Sequence, residues 1–163
     1  MSLLDKVQAW SLKRSAAKLA AAGEAEEASR AWASAIGNNL GDPELIRGFL
    51  RHVGTMRNPS TTTIRQCLNQ AQWLLNLTGT NRTDVGLVAL TCDRLAFYGP
   101  VLDLLGPHQA SLSPTEEAAL QKALFLAGGV DEFGKRVAGG ASAASSDPEL
   151  ALCRAAHSGE GVG

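Results

Sequence analysis

Gly129-Val-Asp-Glu-Phe-Gly134-Lys135 has the spacing of a phosphate-binding loop, in which two glycines and a lysine cradle a nucleotide's phosphates. Arg136 stands where that motif needs a Ser or Thr to ligate magnesium, and the residues before Gly129 have helical rather than strand periodicity. Gly128-Gly129 followed by Asp131 and Glu132 therefore reads as a turn opening an acidic first helical turn. His52, His108 and His157 are far apart in sequence, with no second His at i+4 and no H-E-x-x-H, and Cys67, Cys92 and Cys153 form no C-x-x-C. Only a deep pocket uniting His52, Cys92 and Asp93 would make a catalytic set from these residue types. The expectation is a non-catalytic chain with no cofactor and no metal site. Asn76-Leu-Thr78 and Asn81-Arg-Thr83 would accept glycans only in a secreted protein. Met1-Ser-Leu-Leu-Asp5-Lys6 lacks the pattern of a secretory leader, so both triplets are expected to be helix-end polar residues.

The balance of residues limits the classes further. Hydrophobic residues form 45% and charged residues 19% of 163, an ordinary globular mixture, and the scarcity of aromatics (5%) favours close-packed helices over a β-sandwich. A net charge of −1 gives no support for nucleic-acid binding. No apolar run approaches a membrane span, so no membrane partner is expected, and free thiols fit a cytoplasmic setting.

Apolar spacing and breakers define the elements. A first helix runs to about residue 22, with Leu4, Val7, Trp10 or Ser11, Ala16, Leu19 and Ala20 as its expected stripe. Gly23 turns it into a second, in which Ala28, Trp32, Ala35 and Ile36 face inward. Asp42-Pro43 caps a third helix around Leu45, Ile46, Phe49, Leu50 and Val53. A fourth spans about 60–78, a fifth opens at Asp84, Gly99-Pro100 turns into a sixth, and Ser113-Pro-Thr-Glu116 is a capping box for a seventh. An eighth covers about 131–137, and Asp147-Pro148 launches a last helix whose partner the sequence does not supply.

Nine positions are identical between 19–45 and 124–150 at an offset of 105, including the unbroken Asp-Pro-Glu-Leu at Asp42–Leu45 and Asp147–Leu150. Leu-x-x-x-Gly also recurs at Leu19/Gly23, Leu50/Gly54, Leu95/Gly99 and Leu124/Gly128, each read as an inter-helix turn. Helix pairs of this kind bury their apolar faces by stacking on neighbours. With Gly23 at the turn, Leu12 and Leu19 on the first helix and Ala28, Trp32 and Ala35 on the second, the first unit resembles a tetratricopeptide repeat. The later units are degenerate, with an insertion around 55–63 and with Leu104 and Phe133 where small residues are the rule.

The resemblance implies an all-α fold, an α-solenoid of antiparallel helix pairs stacked as a right-handed superhelix. Residues 1–138 would form the repeat domain, 139–146 a flexible Gly/Ala/Ser linker, and 147–163 the start of a further helix and a Gly-rich tail. In that register Lys13, Ala17, Glu44, Arg51, His52, Asp93, Phe97, Lys122 and Phe125 fall on an inner face. Function then reads as a protein–protein interaction scaffold presenting a concave groove to a protein or peptide, part of a larger protein. The alternatives are a homo-oligomeric assembly module and a docking or regulatory arm of a neighbouring catalytic domain.

Overall fold

The computed structural model describes residues 2–140 and 146–159. Every regular element among them is helical. The α-helices are α1 (Leu3–Ala21), α2 (Ala25–Asn38), α3 (Pro43–Thr55), α4 (Thr61–Leu77), α5 (Arg82–Arg94), α6 (Tyr98–Leu105), α7 (Pro114–Leu126), α8 (Val130–Ala138) and α9 (Pro148–Ser158), and a 3-10 segment covers Gly106–Ser111. They group into two compact units, Met1–Thr91 and Cys92–Gly163, divided inside α5. Most of the expected 139–146 linker and the end of the Gly-rich tail lie outside the described residues.

Helix starts follow the capping chemistry of the sequence. The Asp42 side chain accepts from the Glu44 amide at 3.0 Å, Ser60 from Thr63, and Asp147 from Glu149 and Leu150, each with a carboxylate or hydroxyl oxygen satisfying an orphan amide. Ser113 and Glu116 make the expected reciprocal capping box, and Ser2 with Asp5 makes a second one at the start of α1. Glu26 does more than sit in an acidic first turn. It accepts from the Thr63 and Ser60 hydroxyls at 2.6 and 3.1 Å, tying the start of α2 to the start of α4.

Helix ends show why the duplicated stretch exists. The Glu24 amide donates to the Leu19 carbonyl at 2.9 Å and the Gly129 amide to the Leu124 carbonyl at 2.6 Å, closing one six-residue loop at each copy. Gly23 (φ +82°) and Gly128 (φ +94°) occupy the left-handed position that such a closure requires. The other two Leu-x-x-x-Gly segments do not turn there. Gly54 lies within α3 and Gly99 within α6. The turn after α5 comes earlier, where the Phe97 amide reaches the Cys92 carbonyl at 2.9 Å and Ala96 takes the left-handed conformation (φ +62°). α5 likewise begins at Arg82 rather than Asp84.

In the first unit α2 packs on α1 and α3, and α4 on α3. Leu45, Ile46, Phe49, Leu50 and Val53 are buried as expected, together with Ala28, Trp32, Ala35 and Ile36. Of the stripe assigned to α1, Ala16 is buried and Leu19 half-buried, but its first turns are not. Leu4, Val7 and Trp10 are exposed, and the helix meets α2 through Ala9 and Ala16, whose small side chains admit a close approach. α2 and α3 also meet tightly: a Cβ at Gly48 would lie 2.5 Å from the Trp32 ring.

In the second unit α7 is the central element, packed against α6, α8 and α9 and buried without a break from Glu116 to Leu124. Phe133, fully buried on α8, packs 5.2 Å from Phe125 and edge-on to His157 at 5.3 Å, which is how a bulky residue is housed where the first unit has Ala28. α9, expected to lack a partner, buries Leu150 and Cys153 and packs on α7 and α8. Cys67, Cys92 and Cys153 are free thiols, all buried.

Two stability outcomes are expected. Gly48→Ala should destabilise the protein by about 1–3 kcal/mol, because displacing a buried indole outweighs a helix-propensity gain of about 1 kcal/mol. Ala96→Gly should stabilise it by about 1 kcal/mol by relieving a left-handed Cβ. Urea titrations of both variants against the wild type measure the two shifts, and equal signs would contradict the packing and turn assignments.

Candidate functional site

Two arrangements of charge stand out, one in each unit, and both are built at an Asp-Pro-Glu-Leu corner. In the first unit the start of α3 faces α1 across an open groove of about 240 Å³. Lys6, Trp10 and Lys13 line the α1 side, and Asp42, Glu44 and Leu45 the α3 side. Asn39 forms part of the lining too, its amide donating to the Asp5 carbonyl at 3.2 Å and so fixing the end of α2 to α1. Residues of both charge signs thus line the groove together with the apolar Trp10, Ala9 and Leu45.

The α3 wall is held in place from behind. Arg47 donates through Nε to Asp84 Oδ1 at 2.7 Å and through Nη2 to Oδ2 at 2.9 Å, and its Nη1 contacts Glu44. Asp84 is buried, and this bidentate pairing holds its carboxyl below the ordinary carboxylate range despite the opposing effect of burial.

Lys13 and Glu44 therefore line one groove. Arg51 is exposed on α3, whereas His52 is half-buried and its Nε2 donates to the Ala25 carbonyl at 2.9 Å, turning the ring towards α2. Ala17 is exposed on α1.

In the second unit Asp93 and Lys122 are brought together, but as an internal pair rather than an open face. Lys122 Nζ lies 3.1 Å from Asp93 Oδ2, 2.9 Å from Asp147 Oδ2 and 3.4 Å from Glu149 Oε2, with its side chain 5% exposed. Burial works against the Lys122 ammonium, but the hydrogen bonds it donates to Asp147 and Asp93 outweigh it and raise the group's pKa. Asp93 shifts upward, because burial outweighs the pull of Lys122; Asp147 shifts downward, because Lys122 and two backbone amides outweigh its burial. Burial, and then Asp93, push the Cys92 thiol up to about 11, so at neutral pH it is not the thiolate that nucleophilic chemistry uses.

A second polar network ties α7 to its neighbours. Arg136 of α8 donates through Nε to Glu117 at 2.8 Å, Gln121 donates to the same carboxylate at 3.0 Å, and Arg154 of α9 donates to Gln121 at 3.1 Å. Phe97 is exposed after α5, and Phe125 is half-buried against Phe133.

Nothing in the residue pattern marked these networks, since Glu117, Gln121 and Lys122 read as ordinary polar positions of a helix. The available signal was the offset of 105, which aligns Asp147 and Glu149 with Asp42 and Glu44 but Lys122 with Ala17. One copy of the corner clasps an internal ammonium, and the other borders an open groove. The phosphate-loop spacing resolves into a helix end and a helix start: α7 precedes it, Gly129 is the N-cap of α8, and Gly134 lies inside α8. Among the described residues no group of three or more His, Cys, Asp or Glu is placed to hold a metal ion.

Replacing Lys122 by Met should cost about 3 kcal/mol at neutral pH, because the buried Asp93 carboxylate is left without its cation. In that variant the buried Asp93 carboxyl would bind a proton more readily in the folded than in the unfolded state, so stability should recover in part as pH falls towards about 5. Denaturant melts at the two pH values check this, and a pH-independent loss would contradict it.

Comparison with known proteins adds no assignment: no family model matches the chain, and neither a curated protein nor a solved structure matches it.

Proposed function

We propose that the chain is a non-catalytic protein–protein interaction scaffold built of tetratricopeptide-like helix pairs, stacked as a right-handed α-solenoid, with a peptide or helix of a protein partner as its ligand. The observation that carries this reading is the open groove between α1 and α3 in the first unit. Helix pairs use such grooves to take an extended or helical segment, reading apolar anchors along the floor and charges along the walls. Here Trp10 and Leu45 supply the apolar contact, Lys6 and Lys13 one charged wall, and Asp42 and Glu44 the other. A segment carrying both signs of charge around an apolar residue complements it. Arg47 and Asp84 keep the acidic wall in place without entering the groove, which limits the cost of ordering it on binding.

Peptides selected from a random displayed library on the full chain should bind the wild type and lose at least about tenfold in affinity to Lys13→Glu/Glu44→Lys, since reversing paired walls converts attraction to repulsion. The reversed variant should keep the wild-type circular dichroism, both side chains being exposed. Selected peptides that bind both forms equally would remove the groove from the proposal.

A further inference from the structure

We infer that the outward face of α1 docks on an anionic lipid surface, lying in its plane. Leu3, Leu4, Val7 and Trp10 are 79%, 67%, 55% and 61% exposed, and helical spacing places them on one side of α1, opposite Ala9 and Ala16. That opposite side is committed to α2, so Leu3, Leu4 and Val7 project away from their own unit, and Trp10 stands at the edge where this face meets the groove beside α3. Further along the helix the same side continues into Arg14 and Lys18, with the Arg14 guanidinium 5.4 Å from the centre of the Trp10 ring.

Charge selects the occupant. Arg14 and Lys18 lie on this side of α1, Lys6 and Lys13 border the groove beside α3, and the helix's one carboxylate, Asp5, is engaged by the Ser2 amide at the N-cap. The chain as a whole carries −1, so this positive surplus is local to α1. A convex apolar face bordered by long basic side chains suits a lipid boundary: Leu and Val sink below the headgroups, the indole sits at the interface, and the cationic tips reach the phosphates. Pairing with the same face of a second copy would set like charges against each other. Among the described residues no helix is long and apolar enough to cross a membrane, so α1 is a surface-lying element in this reading.

The full chain should sediment with phosphatidylcholine vesicles that contain phosphatidylglycerol and not with phosphatidylcholine alone, and salt should weaken the binding. Tryptophan emission should shift to the blue on binding, and Trp10→Phe should abolish the shift. Leu4→Glu/Val7→Glu and Arg14→Glu/Lys18→Glu should each weaken binding by roughly tenfold or more, with unchanged circular dichroism and thermal midpoint. None of those four residues lines the groove beside α3, so peptide binding there succeeds or fails independently. A wild-type chain that ignores anionic vesicles, or one that binds them as well after Leu4→Glu/Val7→Glu, overturns the inference. So does a chain that binds soluble polyglutamate and no vesicle, which would make the partner an acidic protein.

Discussion

The structure depends on how a helix can end without wasting its last carbonyls. Leu19 and Leu124 each accept a bond from an amide five residues on, and a left-handed glycine makes that closure possible. The next helix then starts at once, and small side chains set the distance between partners. Ala9 and Ala16 of α1 and Ala28 and Ala35 of α2 are all buried, and side chains this small allow neighbouring helices to approach closely. Caps at Asp42 and Asp147 set the start of the third helix in each copy.

The two copies of this plan have diverged in what fills the space beside the third helix. The second copy has become a polar-stitched unit. α7 buries Glu117, Gln121 and Lys122, and every one of them reaches a partner on another element or along its own helix. Such networks favour a particular arrangement of α8 and α9 around α7, since a shifted helix would leave ions buried without partners. The first copy keeps Asp42 and Glu44 but has Ala17 in place of the lysine, and its acidic wall is braced from the far side by Arg47. The same local sequence thus serves cohesion in one unit and borders a groove in the other.

Much of the helical plan was legible because it rests on local rules. Caps at Asp42, Ser113 and Asp147, the glycines at 23 and 128, and the core of α3 follow from capping, left-handed conformation and helical period. The misassigned parts depend on what lies across the interface. α1 carries apolar residues on both sides, and periodicity favours the bulky ones, so Leu4, Val7 and Trp10 read as core although alanines make the contact. The same misreading conceals the outward face of α1. Ala96 has no residue-type signal for a left-handed turn, and Gly99 drew the turn to itself. Lys122 and Asp93 carry the composition of a solvated surface, and only their three-dimensional convergence with Asp147 and Glu149 makes them interior groups.

The buried thiols have a practical consequence. Cys67 belongs to the first unit, while Cys92 and Cys153 belong to the second, and none is accessible in the folded chain. A thiol-modifying reagent can reach them only when the surrounding helices part. Mass spectrometry of the modified peptides would therefore time the opening of each unit separately within a single sample, with Cys67 as the clock for one and the cysteine pair as the clock for the other.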